Sequence, residues 1–320
     1  MHYINQFNNK LHGQIIKLCH SLKLKKHDFV MGSKLFDNYQ RVALIVLYIE
    51  SKKSLRDFTS NLNGSLTVWK SWLQLPKIPS KSTLHSWLKS FNLDFIRKLL
   101  EVFVSGLKPE IVAIDGSGIE TQFKSSYYQK RLTDFGLKHK NNWHKLDIIV
   151  DVKSKEKYIL DFSFLLTNRH DSKVAWQLFK RFRYKNLDIL ADKGYYWFDL
   201  FDLAKSKNNK LIVPPKNYGT KCLHNRSKRR NFHNCYYENE TKYTLRNNVE
   251  SVFSSLKRVQ GLRLRSKLAH MKKKEMGWQI VWYNIRKKLT LHIIFIVKII
   301  VFHFKKSISS LKLETFYLKL

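Results

Sequence analysis

The sequence predicts an α/β protein in which a mixed sheet is flanked by helices and preceded by a helical N-terminal region. Three observations carry that reading. Residues up to about Leu107 hold apolar runs at helical spacing, short β-type runs begin after Pro109, and further on strand-like and helix-like segments alternate. A chain of 320 residues with 43% hydrophobic composition is long enough to bury a substantial core around such an arrangement.

Taken in order, QRVALIVLYIE (Gln40 to Glu50) reads as a strongly apolar helix and Leu55 to Leu62 as a shorter one. A third, Ser82 to Phe91, starts after Pro79-Ser80 with hydroxyl capping candidates. The stretch from Lys53 through Lys89 has the length and polarity of a helix-turn-helix unit, with STLHSWLKSF as its reading helix. A plain helical bundle explains the same pattern. Ile111 to Ile114 is a short strand running into Asp115, and Leu146 to Val152 and Tyr158 to Leu166 are two more. A helix over Asp171 to Phe182, a strand over Leu187 to Ala191 ending at Asp192, a helix over Phe198 to Lys205 and a strand over Leu211 to Val213 follow, closed by Pro214-Pro215. The expected organisation is a helical region at 1–107, a catalytic domain at 108–288 with a basic segment at about 216–240, and an apolar tail at 289–320.

Charge narrows the partners. Sixty Lys and Arg against 24 Asp and Glu leave a formal charge of +36, which suits the release of counterions from a polyphosphate. Double-stranded DNA is the expected partner. The three cysteines, Cys19, Cys222 and Cys235, are too few and scattered for a disulfide framework, which points to a reducing, cytoplasmic setting. The first thirty residues lack the continuous apolar core of an export signal. LTLHIIFIVKIIVFHF (Leu289 to Phe304) is shorter than the roughly 20 residues a spanning helix needs and has Lys298 near its middle, so membrane contact is disfavoured.

Two strands run directly into an aspartate followed closely by glycine: AIDGSG at 113–118 and LADKGYY at 190–196. If these strands are neighbours, about 4.8 Å apart, Asp115 and Asp192 emerge together at strand ends and can share metal ions. A third acid stands in YTLRNNVESVFSSLK (Tyr243 to Lys257). At roughly 100° per residue, Tyr243, Arg246, Glu250 and Lys257 fall within an arc of about 60°, and Leu245, Val249, Val252, Phe253 and Leu256 within a separate arc of about 100°. One face of this helix packs on the sheet while the other presents chemistry. Three carboxylates without a thiol or imidazole favour Mg²⁺ or Mn²⁺ over zinc, and two such ions suit in-line displacement at phosphorus. Arg246 and Lys257 are then phosphate clamps.

The spacing Tyr243-x2-Arg246-x3-Glu250-x6-Lys257 resembles the signature of the DDE transposases of bacterial insertion sequences, in the superfamily grouped around insertion sequences four and five. The blocks at Asp115 and Asp192 look like the first two acidic motifs of that family, in the same order, and the resemblance spans about Ile111 to Arg286. It implies an RNase H-like domain in which Asp115, Asp192 and Glu250 are catalytic and bind two Mg²⁺ ions. It further implies cleavage of DNA at the element ends, transfer of the freed 3′ ends into target DNA, and a homodimer or higher homo-oligomer.

Two acid-free basic runs flank the proposed catalytic helix. Six Lys and Arg lie between Lys216 and Arg230, and eight between Ser251 and Lys274. They add Lys228, Arg229, Arg230 and Arg258 to Tyr243, Arg246 and Lys257 as expected DNA contacts. Cys222, His224, His233 and Cys235 can each ligate zinc, but their spacing fits no familiar finger, and an ordinary basic loop is the stronger reading. Trp143-His144 and Asn168 to Asp171 flank the sheet and can approach the site, though surface turns explain them equally. Two other functions fit the same sequence: an RNase H-like nuclease that cuts without joining, and a non-catalytic nucleic-acid-binding protein.

Overall fold

The structure, a computed structural model, describes residues 2–27, 35–64, 73–119, 130–131, 133–136, 144–167, 169–216 and 228–289. Among the described residues five helices open the chain: α1 (His2–Ser21), α2 (Asn38–Ser51), α3 (Leu55–Gly64), α4 (Lys81–Ser90) and α5 (Leu93–Val104). Side-chain caps mark several of the starts. The Gln40 amide donates to Asp37 Oδ1 at 2.7 Å while the Asp37 amide donates to Gln40 Oε1 at 3.0 Å, a reciprocal box that satisfies two helix-end donors of α2. Ser80 accepts from the Thr83 amide at 3.1 Å, so the hydroxyl expected to start the third helix does so. α3 and α4 pack together, as they would in a helix-turn-helix unit or in a plain helical bundle, and residues 65–72 between them lie outside the described residues.

Among the described residues the sheet has five strands: β1 (Ile111–Ile119), β2 (His144–Asp151), β3 (Ile159–Leu165), β4 (Asp188–Leu190) and β5 (Lys210–Ile212). Their order is β3-β2-β1-β4-β5. β1, β2 and β3 form antiparallel pairs, whereas β1 pairs with β4, and β4 with β5, in parallel. This mixed sheet, flanked by helices and preceded by the helical region, is an RNase H-like arrangement. The parallel half is built by α6 (Asp171–Arg181) and α7 (Phe198–Ser206). Beyond β5 come α8 (Lys228–Tyr237), a run of helical turns from Glu240 to Val259 whose central piece is α9 (Asn248–Ser254), and a long helix at 269–289, α10.

Alternation along the strands sends side chains to two different cores. From β1 and β2, Ile111, Ala113, Leu146 and Ile148 join a cluster with Leu44, Leu99, Val249 and Trp278, so the N-terminal helices, α9 and α10 cover one face. Val112, Ile114 and Ile149 join Val174, Leu178, Tyr195 and Leu200 under α6 and α7 on the other. α10 carries polar groups into the first core for a reason: the Asn284 side chain accepts from the Ile159 amide at 3.0 Å and donates to its carbonyl at 2.8 Å. Those bonds satisfy backbone groups that would otherwise be buried without partners.

Candidate active site

β1 continues through Asp115 to Ile119, so the aspartate expected at a strand end lies within the strand, opposite Ile148 of β2. The cause is local: Gly116-Ser117-Gly118 remains paired to Asp147, Leu146 and Lys145. Asp192 does lie past its strand, two residues beyond β4. Its side chain accepts from the Gly194 amide at 2.7 Å, which caps the 3₁₀ turn Lys193–Tyr195. The two strands are neighbours, with Ala113 opposite Leu190.

The third acid arrives on packed backbone. Tyr243 to Lys257, expected as one regular helix, is helical throughout but changes pitch, with 3₁₀ geometry at Thr244–Asn247, α at Asn248–Ser254 and π at Ser255–Val259. Val249, Val252, Phe253 and Leu256 are buried against the first core, as expected. Each such side chain contributes about 1.5–3 kcal/mol, against at most about 1 kcal/mol for an exposed ion pair. Apolar packing therefore places Glu250, and its ion pair only trims its direction.

Arg246 joins two of the acids. Its guanidinium donates to Asp115 Oδ2 at 3.3 Å and to Glu250 Oε1 at 3.5 Å. Asp115 and Arg246 side chains are 16% and 17% exposed and Glu250 63%, so the site runs from a half-buried floor to a solvated rim. Burial raises the Asp115 pKa; the Arg246 cation and the Gly116 amide oppose the rise, and the Asp192 and Glu250 carboxylates add to it. Asp192 and Glu250 thus both bear on Asp115 electrostatically. Burial also lifts the Tyr243 phenol to about 12, with Arg246 opposing and Asp192 and Asp115 contributing, which keeps its hydroxyl protonated. Lys257 reaches back across the sheet to donate to Ser117 Oγ at 2.7 Å.

A second carboxylate group lies on the opposite face of β2. Asp147, fully buried, is in contact with the Lys145 ammonium at 3.4 Å and accepts from the Tyr195 hydroxyl at 3.4 Å; its Oδ2 has no hydrogen-bond partner. Lys145 also bonds Asp171 at the start of α6. Burial pushes the Asp147 carboxyl up to about 7; Lys145 opposes this and Asp171 adds to it. Two glycines admit the approach. A Cβ on Gly116 would stand 2.7 Å from Asp147 Oδ1, and one on Gly194 would stand 2.7 Å from Asp171 Oδ2 and 2.9 Å from Asp192 Oδ1. Asp171 therefore approaches the site, whereas His144 is held by Lys272 and the Leu166 carbonyl. Sequence reasoning missed Lys145, Asp147 and Tyr195, although a carboxylate inside the apolar strand LDIIVD was a usable signal.

The remaining expected contacts spread outward. Arg258 is exposed, Arg229 and Arg230 are half-buried at the start of α8, and Lys228 is the first residue of that helix. Of the zinc candidates, Cys222 and His224 lie outside the described residues. His233 shares a 3.2 Å hydrogen bond with the Tyr196 hydroxyl, and the buried Cys235 thiol donates to the Leu211 carbonyl at 3.4 Å. Trp143, Asn168 and the tail beyond Leu289 are also outside the described residues. Among the described residues no helix is long and apolar enough to cross a membrane.

Regarding a metal, the candidate donors are all carboxylate oxygens, and the Arg246 cation stands between Asp115 and Glu250. Among the described residues no three His, Cys, Asp or Glu side chains are gathered as a ready chelate. The chemistry of the donor set suits a hard divalent ion.

A mixed sheet with one acid on β1, a second just past β4 and a third on a packed helix has an RNase H-like arrangement. Residues 106–285, more than half the chain, match the family described as Transposase DDE domain, and the chain belongs to that family. No curated protein matches it. Among solved structures, it is similar to a piggyBac transposase in a synaptic complex with hairpin DNA, at 11% identity, 89% coverage of this chain, 74% of that one and a TM-score of 0.42.

Proposed function

We propose that this chain is the transposase of a bacterial insertion sequence, cytoplasmic and homo-oligomeric, that cuts DNA at the element ends and joins the freed strands to target DNA. Asp115, Asp192 and Glu250 are its catalytic acids and would hold two divalent ions, Mg²⁺ or Mn²⁺. The observation that carries the reading is the meeting of distant segments: Arg246 bonds Asp115 and Glu250 together while Asp192 bears on Asp115 electrostatically. When bound, such ions activate the attacking oxygen and stabilise the departing one at phosphorus.

The chain's own side chains bind and orient the strand around that centre. Arg246, held at the acids, balances their charge and offers a guanidinium to a phosphate. Tyr243 remains a hydrogen-bond donor at every physiological pH because its pKa is raised to about 12. Lys257, Gly261 and Arg263 border a cavity of about 300 Å³ beside Ser117, where the backbone of a DNA strand leaving the acids meets positive charge. Arg258, Lys228, Arg229 and Arg230 extend that charge along the duplex.

The test is cleavage of DNA carrying the element ends in the presence of Mg²⁺. Asp115→Asn, Asp192→Asn and Glu250→Gln each abolish cleavage while leaving the melting transition in place. Wild-type cleavage by all three variants would refute the assignment. Product analysis on paired ends separates joining from simple hydrolysis.

A further inference from the structure

On the face made by α2, α4 and the N-terminal end of α10 lies an apolar groove of about 290 Å³ that the three-acid reading leaves without a role. Its floor is Tyr48 and Ile49 of α2, Leu88 of α4 and Met271 of α10, all of them buried. The floor is held in place from one side. Arg265 stands 4.4 Å from the centroid of the Tyr48 ring and pairs with Glu275, whose carboxylate also accepts from the Arg265 and Ser266 amides at 3.0 and 2.8 Å. Glu275 is the acid among the described lining residues, and with its oxygens engaged in this way the rim of the groove is cationic, at Lys267 and Lys274. The Lys274 ammonium donates to the Lys89 carbonyl near the end of α4 and pairs with no carboxylate among the described residues.

The complement of this groove stands elsewhere on the same chain. Between β1 and β2, Phe135 is 67% exposed, the most exposed large apolar side chain among the described residues. It is presented on a closed turn: the Phe135 amide donates to the Arg131 carbonyl at 3.1 Å, the Gly136 amide donates to the Thr133 carbonyl at 2.9 Å, and Gly136 takes a φ of +62°, which glycine adopts without strain. Asp134 beside it is exposed as well, so the turn offers an aromatic ring next to a carboxylate on a chain whose formal charge is +36. A phosphate backbone repels that carboxylate, whereas a cationic rim attracts it. The segment carrying the turn leaves β1 at Ile119, which borders one cavity with Gly261 and Leu262, and the chain runs on from there to Arg265 and Leu268 at the groove. The segment therefore starts at the groove's end of the molecule, an arrangement in which a single two-fold axis serves two such contacts at once.

We propose that the groove receives the Asp134-Phe135 turn of a second copy of this chain, with the Phe135 ring on Tyr48, Ile49, Leu88 and Met271 and the Asp134 carboxylate at Lys274 and Lys267. The proposal deepens the reading of the chain as a homo-oligomer and rests on that part of it alone. A large exposed aromatic entering a preformed apolar pocket is the kind of anchor that carries most of the affinity of an interface, and the flanking ion pair sets its register. Exchange about a two-fold axis buries both anchors and leaves the acids at Asp115, Asp192 and Glu250 outside the contact.

The test is sedimentation velocity of the full chain without DNA, from about 1 to about 50 µM, in about 0.3 M NaCl to screen the net charge. Wild type self-associates, and Phe135→Ser, Asp134→Lys and Lys274→Glu each weaken association at least about tenfold. Mixing Asp134→Lys chains with Lys274→Glu chains restores it, because one contact then pairs the introduced lysine with the introduced glutamate while the other keeps Asp134 against Lys274. Thermal melts report the folding of each variant, and Lys267→Glu takes the place of Lys274→Glu if the latter does not fold. Wild-type association by Phe135→Ser, or a mixture that associates no better than its two components, overturns the contact while leaving the homo-oligomer standing. Phe135→Ser chains that associate normally but lose affinity for a fluorescein-labelled duplex overturn it in favour of DNA. A wild-type chain that stays monomeric throughout overturns it too, and joining of paired DNA ends then decides the homo-oligomer reading separately.

Discussion

Replacing Asp147 by Asn should remove a large part of the pH dependence of stability. Asp147 is fully buried, and burial raises its carboxyl from 3.8 to about 7 despite the Lys145 ammonium and the Tyr195 hydroxyl, with Asp171 pushing the same way. Because the folded-state pKa is raised, the folded chain prefers the neutral acid. Its stability contribution is present below about pH 4 and is lost as pH rises toward 7, after which nothing more is lost. Between pH 5 and pH 8 the loss covers two pH units, or about 2.7 kcal/mol at 1.36 kcal/mol per unit. The amide of Asn cannot ionise and keeps an oxygen for Tyr195. Urea unfolding of wild type and Asp147→Asn at both pH values isolates the term, because every other titrating group contributes to both proteins. The variant should lose about 2–3 kcal/mol less than wild type on going from pH 5 to pH 8. An equal loss in the two proteins would show that Asp147 is ionised in the fold and that the Lys145 contact outweighs burial.

Three further outcomes follow from single contacts. Arg246→Met leaves Asp115 beside Asp192 and Glu250 without its cation, so the Asp115 pKa rises further and the acid limb of the pH–rate profile for DNA cleavage moves to higher pH; an unmoved limb would remove Arg246 from the site. Gly194→Ala places a methyl group 2.7 Å from Asp171 Oδ2 and 2.9 Å from Asp192 Oδ1, and should cost about 1–3 kcal/mol in urea unfolding together with most of the cleavage activity. Asn284→Leu leaves the Ile159 amide and carbonyl buried without partners, at a cost of about 2–4 kcal/mol, and hydrogen exchange at the Ile159 amide should accelerate; unchanged exchange would refute this role of Asn284.

Much of this fold could be read from runs of residues because its parallel half is buried on both faces. β4 is a three-residue strand inside the apolar stretch Leu187 to Ala191, and α6 and α7 carry amphipathic patterns on either side of it, so composition and period agree. What could not be read was anything decided by pairing. Gly116 and Gly118 look like a turn until their partners on β2 are known, and only the register shows that β1 runs on to Ile119. The change of pitch along Tyr243 to Lys257 is similarly invisible, since no Gly or Pro marks it. α10 escaped notice because its N-terminal end belongs to the basic run through Lys274, whose charge drew attention to DNA; its buried residues, Trp278 and Tyr283, lie at packing positions whose meaning depends on β3.

The acids divide along the same line, and the division explains why the signature residues were easier to find than their supports. Asp115, Asp192 and Glu250 each stand in a local motif that a sequence reading can recognise, even though Asp115 is largely buried. Asp147 is the reverse case. It stands in the middle of LDIIVD, where a sequence reading by hydrophobic period treats it as an interruption, and it is tolerable only because Lys145, two residues away on the same strand face, and Tyr195, from the turn after Asp192, converge on it from different segments. Those partners also bear on the chemistry: Lys145 bonds Asp171, and Asp171 and Asp192 crowd the same point beside Gly194. A buried carboxylate held near neutrality behind the sheet thereby supports the loop that presents Asp192, so the geometry at the proposed cleavage site depends on residues that touch no DNA.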